Sequence, residues 1–376
     1  MKLKSTLVIT VVLACCLLLT GCFGGSVPPK GWSGPVVVDD LLYVGSMTGQ
    51  VVAFDDISAD GNPYDEPWWS YPDETAISYI YGDPVVDNGS VYIGCYSGKV
   101  YVLNASRGYR EWIYPSESYV GAIVGSPAVA EGTLYFGSSD KNLYAINTST
   151  RQLEWQPFET DGKIWSTPVV YNGTVYIGSF DHNLYALDAL SGDVLWQFET
   201  GGAIASTPLI YNGAIYFGSL DRKFYALDAV TGESKAGFAT FSADDWFWGE
   251  AVEHNGSIIA VSLDGKVYAL DADSGGELWV AEAGGTVRGA PALVDNFVIV
   301  GTDEGSDRGK LYCFNADTGS MAWEHPSGDE TMSAIHASIG EGDGVVYVHA
   351  ANQKIYCIDV EHGNILWSIS TSSGSE

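Results

Sequence analysis

The chain has 376 residues, and 17 Lys and Arg against 47 Asp and Glu give a formal net charge of −30. That charge repels phosphate, which excludes nucleic acid as a general partner, and it disfavours an anionic membrane surface except through a covalent anchor. A 13% aromatic content excludes a disordered chain, and only 17% charged residues exclude a coiled coil.

Met1-Lys-Leu-Lys4 is a basic start, Ser5 to Leu19 is an apolar run too short for a comfortable membrane span, and Leu19-Thr20-Gly21-Cys22 follows. That tetrapeptide resembles a lipoprotein lipobox, which implies cleavage before Cys22 and lipid attachment to its sulfur. Residues 1–21 thus read as a lipoprotein signal peptide and 22–31 as a lipidated tether containing Gly-Gly and Pro-Pro. The folded domain is expected over 32–371, with a short polar tail at 372–376. Beyond the signal and Cys22, only Cys95, Cys313 and Cys357 remain, an odd number that argues against a disulfide framework. Buried thiols are expected.

Downstream, one unit recurs eight times. The clearest copy runs from Ser166-Thr-Pro-Val-Val-Tyr-Asn-Gly through Asn183-Leu-Tyr-Ala-Leu-Asp188 to Ser191-Gly-Asp-Val-Leu-Trp196. Its proline recurs at 35, 84, 127, 168, 208 and 291, and two more copies keep the frame around Ala251 and Ile339. A period of roughly 40 to 49 residues suits propeller blades. Each unit reads as four short strands: 169–171, an Asn172-Gly173 turn, 174–177, 183–187 and, after a Gly-closed turn, 194–198. Trp recurs in the fourth strand at 69, 112, 155, 196, 279, 323 and 367, and Ala236 takes its place once. Wedge-shaped blades need a large ring there, because the gap between sheets widens outward. The predicted fold is an all-β, eight-bladed propeller of four-stranded antiparallel blades, which leaves few strand edges free. With each copy starting on its innermost strand, no blade is shared between the termini, and closure is expected to rest on packing of blade 1 against blade 8.

The motif Asp-Ala-x-Ser/Thr-Gly-x-x-x-Trp, at Asp188–Trp196 and Asp271–Trp279 and more loosely at Asn315–Trp323, resembles the pyrroloquinoline-quinone-type repeat. The resemblance covers about residues 32 to 370. It is specific for fold and weak for function, because quinoprotein dehydrogenases and lipid-anchored BamB-like scaffold proteins share it.

Function is sought where the copies differ. The residue three before the strand-one proline position is Trp32, Tyr81, Val124, Trp165, Ala205, Trp248, Arg288 and His336 in turn. Where the chain turns toward the axis, four aromatics, one Arg and one His would ring a channel mouth and offer a surface to a peptide or flat ligand. The alternative is that the rings simply plug the funnel. Asp244-Asp245-Trp246-Phe247-Trp248 is the most irregular connection and is expected to present exposed aromatics on the same face.

Asp56, Ser58 and Asp60, before Gly61, match the opening of a calcium loop, but Pro67 stands where the closing Glu belongs. A solvated acidic hairpin tip fits as well. The loop Asp303–Arg308 is a second acidic insertion, where Arg308 is expected to neutralise the acids and metal binding is the alternative. No His-x-x-x-His, Cys-x-x-Cys, Gly-x-Ser-x-Gly or phosphate loop is present. The expected protein is a monomeric, non-catalytic scaffold of the cell envelope. It is held to the membrane only through its lipid and binds envelope or secreted proteins without a cofactor. Alternatives are a propeller that binds glycans or small ligands, and a quinone-dependent dehydrogenase. In dehydrogenases of this repeat, Ca²⁺ on Glu, Asn and Asp polarises the quinone. The adjacent Cys pair found in many of them occurs here only in the signal, as Cys15-Cys16.

Overall fold

A computed structural model describes residues 31–55, 66–72, 76–328 and 330–372. The signal peptide, Cys22, the Asp56, Ser58 and Asp60 turn and residues 373–376 lie outside them.

Eight sheets of four consecutive antiparallel strands stand around an axis. In blade 4 the strands are Val169–Tyr171, Thr174–Gly178, Asn183–Asp188 and Val194–Glu199, from inside to outside. Asn172 and Gly173, with φ of 50° and 74°, join the first two and set the register Val169 to Tyr176. Two positive φ values make the turn whose twist matches that of the flanking strands. Blade 7 carries an addition: Arg308–Gly309 pairs with Met332–Ser333 as a separate small ribbon.

Among the described residues, apolar side chains of successive strands form eight clusters, each filled from two neighbouring blades, beside a small ninth of Met47, Ala334 and Ala351. Between blades 3 and 4, for instance, Tyr135, Leu143 and Ala145 meet Val175, Ile177 and Leu187. Cys95, Cys313 and Cys357 are buried, unpaired members of three different clusters.

The repeated Trp closes the outer part of each gap. Indole Nε1 of Trp69, Trp155, Trp196, Trp279 and Trp323 donates to a backbone carbonyl of the following blade, at 2.7–3.3 Å. The Gly of that blade's Asp-Ala-x-Ser/Thr-Gly turn lies flat against the ring. A Cβ on Gly192 would come within 2.6 Å of Trp155, and Gly192 has φ of 75°. In blade 3, Arg151 holds the Gly position at φ 62° and lays its guanidinium over Trp112, 6.0 Å from the centroid. In blade 5, which has Ala236 instead of Trp, Tyr216 donates its hydroxyl to Ala272 O at 2.8 Å and packs on Phe238.

The ring closes without a shared blade. Leu42, Val44, Val52 and Phe54 of blade 1 pack on Tyr347, Ile355, Cys357 and Ile369 of blade 8. His349, fully buried in blade 8, donates from Nδ1 to Ser33 O at 2.9 Å, and its Nε2 lies 3.4 Å from Thr371 Oγ1. Burial pushes this imidazole down to about 4, so it is neutral at pH 7.

Two predictions follow from this packing. Gly192→Ala and Gly173→Ala impose the same backbone penalty of about 1 kcal/mol, but only Gly192 faces an indole, while Gly173 has open space around it. Urea unfolding should show Gly192→Ala to be the more destabilising by a further 1–3 kcal/mol, roughly the cost of overpacking. For His349 the unfolded chain binds a proton near pH 6.5 and the folded chain only near 4. Stability from this residue is therefore complete above pH 6.5 and falls as pH drops toward 4, by at most about 3 kcal/mol. Glu250, pushed up to about 7 by burial, has the opposite slope over part of that window. The difference between wild type and His349→Gln isolates the histidine, and this difference should shrink from pH 7 to pH 4.5 in urea midpoints.

Candidate binding channel

Each connection from an outermost strand to the next innermost strand runs inward over one face. In all eight blades the residue four before the innermost strand reaches the axis. Trp32, Tyr81, Val124 and Trp165 on one side, and Ala205, Trp248, Arg288 and His336 on the other, line a single cavity of about 320 Å³.

Four of the eight connections are pinned by an aspartate in the turn between the second and third strands. Asp140, Asp181, Asp221 and Asp264 accept the backbone N–H of Gly121, Asp161, Gly201 and Asp244 at 2.9–3.2 Å. Each also accepts the hydroxyl of the Tyr four residues on, at 2.6–3.0 Å. Burial, together with the adjoining carboxylate, pushes these phenols far up, so each keeps its proton and donates. The pinned N–H groups lie three or four residues before Val124, Trp165, Ala205 and Trp248, and so fix the collar's height.

The collar aromatics form two groups. Trp32 meets Tyr81 edge-on at 4.7 Å and His336 at 5.6 Å. Trp165 meets Phe180 edge-on at 4.7 Å, donates to Ser139 Oγ at 2.9 Å and comes within 6.4 Å of Trp248. Ala205, which lies between them in sequence order around the ring, is small enough to leave that approach open. Asp303 Oδ2 lies 4.0 Å from Arg288 Nε and 3.7 Å from His336 Nδ1. These two side chains face Asp303 in the role expected of Arg308. Burial holds His336 below the usual imidazole range despite Asp303, which leaves Arg288 as the collar's standing positive charge.

The irregular connection divides rather than presenting a continuous aromatic face. Asp244 is exposed and pairs with Lys266 at 2.9 Å. Asp245 accepts the N–H of Trp246, which is half-buried, and Phe247 is part of the core between blades 5 and 6. Only Trp248 of this stretch reaches the channel. Phe247 occupies the place held by Ile80, Ile123, Ile164, Ile204 and Ile335 in other blades, each packed on a Gly of the preceding sheet. The expectation of exposed aromatics fails there because that position faces the interblade gap.

A second ring, two residues further along each connection, was not singled out from the sequence. It contains Asp83, Ser126, Thr167 and Thr207, then Glu250, Ala290 and Ser338. Most copies carry a small or hydroxyl residue before the proline position, so the two carboxylates were the available signal. Asp83 accepts the Gly34 N–H and a hydrogen bond from Ser338, and so ties the approaches of blades 8, 1 and 2. Glu250 is partly buried, and desolvation, followed by the nearby Asp83 charge, pushes it up to about 7.

With this geometry, the comparisons with known proteins are specific. The family model described as outer membrane protein assembly factor BamB matches residues 65–167, 160–235 and 239–376. The chain belongs to that family. Among solved structures, BamB from Moraxella catarrhalis is similar at 18% identity, with 92% of this chain and 96% of that one covered and a TM-score of 0.68. The computationally designed Ika8 protein is 16% identical over 87% and 96% of the two chains, with a TM-score of 0.72. Quinohemoprotein alcohol dehydrogenase ADHIIG from Pseudomonas putida HK5 is 17% identical over 87% and 70%, with a TM-score of 0.63. At such identities the structures show the fold alone. No curated protein matches the sequence.

If the aspartate pins hold the BamB-family collar in place, Asp181→Ala should cost about 1–3 kcal/mol in urea unfolding, because it leaves the Tyr185 hydroxyl and Asp161 N–H without their acceptor. Asp193→Ala, in an exposed outer turn, should stay within about 0.5 kcal/mol of wild type.

Proposed function

We propose that this BamB-family chain is a lipid-anchored, non-catalytic propeller. It would act outside the cytoplasm as a protein-interaction scaffold at the cell envelope and dock envelope or secreted proteins at the collar mouth. The observation that carries this reading is the collar itself: three Trp and one Tyr, contributed by four separate blades, converge on one mouth. Aromatic rings of this kind lose little conformational entropy on contact and are enriched where partners bind. The BamB description of the family supports an assembly role, and the lipobox at Leu19–Cys22 supports the anchor.

The quinone of the dehydrogenases suits this channel poorly. It is a flat polyanion, whereas the wall presents Asp83 and Glu250, and Arg288 is already set against Asp303. Among the described residues, no three His, Cys, Asp or Glu side chains stand together within reach of one metal ion.

One set of measurements tests the proposal. A photo-crosslinking residue at position 248 should give envelope-protein adducts in the native cell, and the same residue at exposed position 195 should not. Cys22→Ser should abolish membrane retention and acyl labelling. Equal adducts from both positions, or none, would overturn the docking site. Saturable quenching of tryptophan fluorescence by pyrroloquinoline quinone that requires Ca²⁺ would overturn the non-catalytic reading.

A further inference from the structure

The floor of the channel is one position repeated eight times, and most copies are uncharged, as at Ser126, Thr167, Thr207 and Ser338. The fold therefore has no general need for a carboxylate there. Asp83 and Glu250 depart from the rule, and they introduce blades 2 and 6, four blades apart in a ring of eight. They accordingly come from opposite walls, and the Asp83 charge acts on Glu250.

The two differ in one respect. Asp83 is held by Gly34 N–H and Ser338, which gives it a structural task at the seam. Glu250 receives no hydrogen bond from the described residues. Since no sealed side-chain polar atom among them lacks a partner, its oxygens must open into the lumen. A carboxylate partly withdrawn from water with no protein donor to replace it is costly. A Thr, as in the neighbouring blades, would avoid that cost. Above this floor stands a wall of aromatic faces, where Lys163 already lays its ammonium over Trp165, 5.4 Å from the centroid, and Arg288 is turned to Asp303 at the mouth.

We propose that the axial channel receives a protonated primary amine on a slender alkyl stem, with the ammonium between Glu250 and Asp83 and the stem inside the rings of Trp32, Tyr81, Trp165 and Trp248. Collar and floor are two residues apart on each connection, with a bend at Gly82 and Gly249 between them, so their separation is at most about 7 Å, within reach of a stem of four carbons. Aromatic faces favour an organic cation through the ring quadrupole, most strongly where water is excluded. The carboxylates then supply the counter-charge. A free alkylamine and the lysine side chain of a docked protein offer the same chemistry.

The test is titration of the mature protein with n-butylammonium chloride, followed by calorimetry and tryptophan fluorescence, with 1-butanol as the uncharged match. Saturable binding of the amine and none of the alcohol is expected. Glu250→Gln should weaken it at least tenfold while melting at or above the wild-type temperature, and Trp248→Ala should weaken it severalfold. Affinity should rise about tenfold from pH 6 to pH 8 as Glu250 loses its proton. Asp83 across the lumen, Arg288 on the next connection, and His336 with Asp303 at the mouth set the field in which it titrates. A tripeptide with a central lysine that binds more tightly than butylammonium assigns the site to a partner's side chain, and equal or weaker binding assigns it to a free amine. Absence of saturation, equal binding of butanol, full affinity in Glu250→Gln, or Ca²⁺ binding that excludes the amine would each overturn the proposal. It does not rest on the scaffold reading, because amine binding and adducts at position 248 can each be present without the other.

Discussion

The structure depends on the contact between one blade's outer Trp and the next blade's Gly turn. A sheet of four short strands cannot bury both of its faces alone. Stacked radially, neighbouring blades leave a gap that widens outward, and a bulky ring must fill its far end. The indole does so and hands its N–H to the carbonyl beside the turn it packs on. The Gly is required twice over, by its positive φ and by the closeness of the ring. Of the two departures, Arg151 replaces the Gly contact with a cation over Trp112, while blade 5 keeps only the Tyr216 hydroxyl bond that Tyr43, Tyr135 and Tyr176 make beside a Trp in their blades.

Once the blade spacing is set, the inner geometry follows. The connections enter over the same face, and four of them are held by an aspartate of the adjoining turn that accepts a backbone N–H and is itself held by a tyrosine. Repetition thus delivers one side chain per blade to the collar and one to the floor. A site then arises wherever copies depart from the common residue, since the scaffold presents any residue at those positions to the lumen. The seam between the first and last blades obeys the same logic. It lacks a shared sheet and is closed by an ordinary interblade cluster, a buried neutral histidine and the Asp83 tie.

Charge is distributed unevenly across this framework. Much of the acidity lies at exposed turns, and several of those carboxylates have structural work there. Asp188 and Asp228 accept backbone N–H groups of their own turns, and Asp271 accepts the Ser274 hydroxyl and then its N–H, which hold their carboxyls below the usual range. Glu250 is the contrary case, partly buried, raised and without a hydrogen-bond donor among the described residues. The first kind explains how a chain of net charge −30 keeps its turns in shape, and the second marks a place where the fold tolerates a cost.

The repeat, the blade count, the strand order and the eight collar positions were legible from the chain alone. Each depends on local chemistry repeated at a fixed period: Asn-Gly for a hairpin, Pro at the start of a strand, Trp and Gly for the wedge. Closure without a shared blade was also readable from strand phase. What the sequence could not reveal is how residues of different blades meet. That Trp165 and Trp248 come together across Ala205, that Asp303 faces Arg288 and His336, and that Phe247 belongs to the core depend on distances across the ring. The pairing of Asp83 with Glu250 across the axis depends on them as well. Periodicity determines which side chains point inward, and only closure of the circle decides which of them become neighbours.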